Sequence, residues 1–103
     1  MPPFSLDALE IALAKHVHVP PDEIETIASQ VFGRYEATGP AGTSWRLRTL
    51  NIFRTDFHRY VIYDLCRADW QGGVYISPSA KIVQSIADAL NELEGLPTPL
   101  NES

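Results

Sequence analysis

The chain has 103 residues, 45% hydrophobic and 20% charged, with a net charge of −5. That length makes one domain with a modest core, and that composition excludes a disordered tail. The acidic balance argues against general binding to nucleic acid or membrane surfaces. The charge is uneven: residues 1–42 and 71–103 are acidic, whereas residues 43–70 carry five arginines against three acids. A single cysteine, Cys66, allows no intrachain disulfide and fits a reducing compartment. The opening MPPFSLDALE lacks the basic stretch and apolar core of a secretory signal. No apolar run approaches the ~20 residues that span a bilayer. A cytoplasmic protein outside the membrane is expected.

The first predicted element is a helix in SLDALEIALAKHVH. Ser5 can cap it, and Leu6, Leu9 and Leu13 with Ala12 form one apolar stripe. Lys15, His16 and His18 fall in its last turn, where positive charge suits the helix dipole. A second helix follows in PPDEIETIASQVFGRYEATG. Pro21 suits a first helical turn, and Ile24, Ile27, Ala28, Val31 and Tyr35 follow the helical period. Gly33 weakens its end and Gly39-Pro40 stops it. So short a connection makes the two helices a hairpin or corner.

After the loop ATGPAGTS the period becomes two. Trp45 and Leu47 alternate with Arg46 and Arg48, but Leu50 and Ile52 take the opposite parity, which predicts a bulge near Thr49 or two short pieces. RYVIYDLC has aromatic and β-branched residues on both faces and is expected to be a central strand. VYIS is the third strand. Short loops make the sheet an antiparallel meander. SPSAKIVQSIADALNELEG closes the fold as a helix capped by Ser77 or Ser79. Its buried face is Ile82, Val83, Ile86, Ala87, Leu90 and Leu93, and Gly95 is ready to terminate it. The expected fold is α+β, in the order α-α-β-β-β-α: a three-stranded antiparallel meander with helices packed on one face. It forms a single domain over residues 1–96, with a flexible C-terminal tail at 97–103.

The stretch HVHVPP invites a metal reading. On a helix, however, positions two apart face about 200° from each other, so His16 and His18 are expected to end the helix against its carbonyls. No metal site or cofactor is expected. On a strand His58, Asp64 and Cys66 would share one side. Spacing keeps His58 out of reach of Cys66, and Asp64 would raise the thiol pKa rather than lower it. Cys66 is therefore expected to be structural, and no catalytic residue is assigned. The arginines alternate with aromatics and are expected to pair with Asp56, Asp64 and Asp69 across strands. The candidate interaction or ligand residues are Arg46, Arg48, His58, Arg59, Tyr60 and Asp64.

Helices on one side leave the second face of the sheet and its edges exposed. The residues favour a small non-catalytic interaction or regulatory protein, a homodimer through its sheet, with a further protein partner allowed. Nucleic acid is the weakest candidate partner. The alternative is a small enzyme or ligand-binding protein, with a pocket between sheet and helices or at the dimer interface.

Overall fold

A computed structural model describes residues 4–38, 45–53, 59–67 and 74–96, with backbone alone at 35–38, 51–53 and 59–60. Helix α1 (Leu6–His16) begins where Ser5 accepts a hydrogen bond from the Ala8 amide at 3.1 Å. This satisfies one of the amides that a helix start leaves open. Leu9, Ala12 and Leu13 are buried, while Leu6 in the first turn is 36% exposed. Val17 ends the helix with extended backbone, its amide donating to the Leu13 carbonyl at 2.7 Å.

Helix α2 (Pro21–Thr38) starts against the Pro20 carbonyl, which accepts from the Glu23 and Ile24 amides at 3.0 and 3.1 Å. Asp22 and Glu23 sit in its first turn, at the positive end of its dipole. Ile24, Ile27, Ala28 and Val31 are buried as the helical period predicts. The helix runs through Gly33 to Thr38, because burial of that stripe outweighs one glycine's entropic cost.

Strands β1 (Arg46–Phe53), β2 (Arg59–Cys66) and β3 (Ile76–Ser77) form an antiparallel meander in the order β1-β2-β3, with β2 central as expected. The pairing of β1 with β2 is unbroken from Arg46 opposite Cys66 to Phe53 opposite Arg59. The expected bulge near Thr49 is therefore corrected. The parity change has another cause. Trp45, Leu47, Tyr63 and Leu65 join the core with the helices. Leu50 pairs with Ile62 on the other face, so the apolar side of the ribbon switches halfway along it. β3 is shorter than the predicted VYIS, although the Leu65 amide still donates to the Tyr75 carbonyl at 2.9 Å.

Helix α3 (Ala80–Glu94) is capped by Ser79, which accepts from the Ile82 amide at 3.3 Å, while the Ser77 hydroxyl accepts from the Ser79 amide at 3.0 Å. Gly95 ends it at φ 68°, the left-handed conformation that costs glycine nothing. The Leu96 amide then returns to the Asn91 carbonyl at 2.8 Å, as in a Schellman ending.

The α+β order is as predicted. α3 lies across the sheet, α1 packs on α3, and α2 packs on α1. Between them Val83, Ile86, Ala87 and Leu90 meet Trp45, Leu65, Leu9 and Leu13 in one core. Full burial of each large aliphatic side chain there contributes roughly 1.5–3 kcal/mol. No helix among the described residues is long and apolar enough to cross a membrane.

Candidate functional site

Two of the sequence candidates, Arg48 and Asp64, meet on the sheet face turned away from α3. Arg48 and Asp64 are direct partners across β1 and β2, with Arg48 Nη2 2.7 Å from Asp64 Oδ2. Asp64 is fully buried, whereas the Arg48 side chain is 40% exposed. A buried carboxylate needs such a partner, because charge leaves water at high cost. Of the predicted cross-strand pairs this one forms; Asp56 and Asp69 lie outside the described residues. Arg46 is exposed, and its strand position is opposite Cys66. His58 and the side chains of Arg59 and Tyr60 lie outside the described residues.

Cys66 is 2% exposed. Burial pushes its thiol up, Asp64 adds to that rise, and the positive charges of Arg46 and Arg48 partly oppose it. The thiol stays protonated near neutral pH and makes a poor nucleophile. This face thus joins a neutralised ion pair and a quiet thiol to apolar side chains. Leu50 and Ile62 are half-buried neighbours, and Ile76, the partner of Asp64 in β3, is 50% exposed.

On the covered side lies a polar cluster that the sequence reading missed. Arg67, just past β2, is buried, with Nη1 3.3 Å from Glu94 Oε2 on α3. The same carboxylate oxygen accepts from the Trp45 indole at 2.9 Å. The Arg67 guanidinium lies 4.7 Å from the centre of the Trp45 ring, a cation–π arrangement. Asn91, one turn before Glu94, is also buried and binds the backbone of Trp45. Arg67 thus departs from the expected cross-strand pairing in that an acidic partner of its guanidinium, Glu94, lies on a helix. The available signal was Asn91 and Glu94, which continue the apolar stripe of Val83, Ala87 and Leu90 with polar residues. This cluster holds the start of β1 onto α3.

The two histidines separate because His16 is the last residue of α1 and His18 lies past its extended end at Val17, not in the last turn as expected. His16 contacts Glu92 on α3 through Nε2, and Lys15 Nζ lies 3.1 Å from the other oxygen of the same carboxylate. The expected partners of His16 were carbonyls of its own helix. α3 supplies a carboxylate within reach instead, and a charged acceptor makes the stronger hydrogen bond. His18 is exposed beyond the helix end. Among the described residues no three His, Cys, Asp or Glu side chains gather as a metal site requires.

Compared with known proteins, the chain matches no family model, no curated protein and no solved structure. Its functional reading therefore rests on its own residues.

Proposed function

We propose that this protein is a non-catalytic interaction domain that pairs with a second copy of itself through its sheet. The observation that carries this reading is the apolar set on the face away from α3: Ile76, 50% exposed, with Leu50 and Ile62. Arg48 and Asp64 neutralise each other on that face. The apolar groups are then what still gains from leaving water. A two-fold axis over the face would set the same patch against itself, the usual geometry of a homodimer. The unreactive Cys66 thiol supports a non-catalytic role, and a lone buried thiol suits the cytoplasm. Protein partners beyond the second copy are consistent with the same reading.

The test is sedimentation velocity over a wide concentration range, for the native chain and for Ile76→Lys. Because Ile76 is already half in water, the substitution leaves the fold intact. The native chain is expected to sediment as a dimer and the variant as a monomer. A native chain that remains monomeric at every concentration would refute the reading.

A further inference from the structure

The structure carries a second surface, remote from the sheet. A groove of about 490 Å³ lies between α1 and the start of α2. Ile11, Ala14, Val17, Val19 and Ile24 make its apolar wall, and among the described residues Asp7, Glu10 and Glu25 are the ionisable ones that line it. Ile11 stands on the crest of α1 at 71% exposure, opposite the buried Leu9–Leu13 stripe. It lines both this groove and a second one, of about 420 Å³, between α1 and α3. Keeping so large an aliphatic group in water forgoes the free energy that its burial would supply.

We infer that the α1–α2 groove docks a basic amphipathic helix from a protein partner. The apolar wall sets one requirement, aliphatic anchors spaced along a helix as in other helix-in-groove contacts. The rim sets the other, because each of the three ionisable residues described there is a carboxylate. Lysine or arginine beside the anchors would meet those carboxylates and speed encounter. Charge also selects against other occupants. A second copy of this groove would bring carboxylates against carboxylates, and an anionic membrane would be repelled. The tail of this chain, TPLNES, is acidic as well. The surface is separate from the sheet face, so the inference does not depend on dimer formation.

The probe is a synthetic amphipathic helix of roughly four turns, with leucines on one face and lysines flanking them. A control peptide carries glutamate in place of every lysine. Binding is followed by fluorescence anisotropy, and its location by backbone amide shifts of the full chain. The lysine peptide is expected to bind, to weaken with added salt, and to shift Ile11, Ala14, Val17 and Ile24. Ile11→Ser removes the exposed anchor without touching the core and should weaken binding about tenfold, the equivalent of ~1.4 kcal/mol. Glu10→Lys with Glu25→Lys should weaken the lysine peptide and strengthen the glutamate peptide. Lack of binding by the lysine peptide, equal binding of both peptides, or shifts confined to the sheet would overturn the assignment. A chain that stays monomeric yet binds the lysine peptide at the groove would sink the dimer proposal and leave this one standing.

Discussion

The carboxamide of Asn91 holds both backbone polar groups of Trp45. The Trp45 amide donates to Asn91 Oδ1 at 2.7 Å, and Asn91 Nδ2 donates to the Trp45 carbonyl at 3.1 Å. Both residues are buried. A helix side chain thus acts as one more strand residue at the entry to β1. This explains an asparagine on an otherwise apolar stripe, since buried backbone groups are rarely left without partners. Asn91→Leu keeps the volume and removes both bonds. It should destabilise the fold by about 2–4 kcal/mol, since each buried group that loses its partner costs roughly 1–3 kcal/mol. Asn91→Asp keeps the acceptor, loses the donor and buries a charge, so it should not restore stability. Urea unfolding measures both; a leucine variant as stable as the native chain would dismiss this role.

Glu94 serves two donors at once, the Trp45 indole and the Arg67 guanidinium. Removing one side of a buried ion pair typically costs about 3–5 kcal/mol, because the other charge stays behind. Glu94→Ala is expected to fall in that range and to loosen the packing of Trp45, which near-ultraviolet circular dichroism reports. Glu94→Gln still offers an oxygen to both donors and should cost less. If the alanine and glutamine variants unfold at the same denaturant concentration, hydrogen bonding to this carboxylate is not what matters.

Glu92 ties α1 to α3. Its hydrogen bond to His16, followed by its hydrogen bond to and attraction for Lys15, holds its carboxyl below the usual value of 4.5. A carboxyl whose pKa is lower in the folded state stabilises the fold fully above its unfolded pKa. That contribution disappears as the pH falls through the lowered folded value. The difference in stability between the native chain and Glu92→Gln should therefore shrink as the pH falls below about 4.5. Thermal unfolding of both proteins from neutral pH to pH 3 reads this directly. The gap will be small, because Glu92 is half exposed and surface ion pairs are weak. A gap that stays constant throughout the acid range would assign the effect to another group.

Much of the architecture was legible from local chemistry. Ser5 and Ser79 bond amides three residues on, Pro21 opens α2, and Gly95 closes α3. Each acts within a few residues of itself, so composition and spacing suffice to place it. The helical stripe of α2 and the central position of β2 were legible for a related reason: periodicity shows which faces seek burial.

The candidate site was legible only in part. Arg48 and Asp64 were drawn from strand alternation and do pair, but the sequence reading placed a bulge near Thr49 where the register is continuous. Apolar parity shows that a side chain seeks cover; it cannot show on which side cover will come. α3 covers Trp45, Leu47, Tyr63 and Leu65 at one end of the ribbon, whereas Leu50 and Ile62 face away from it. That switch depends on where a distant helix lands.

Sequence by itself determined the elements, their order and the caps of α1 and α3, because caps, turns and periods are short-range physics. Tertiary structure alone decided the partners of the charges. Glu92 and Glu94 crowd the negative end of the α3 dipole, an unfavourable place for acids in an isolated helix. Lys15 from α1 and Arg67 from the end of β2 neutralise them there, and His16 adds a hydrogen bond to Glu92. Those contacts join residues 27 to 77 positions apart, and only the packing of α1 and the sheet around α3 brings them within reach.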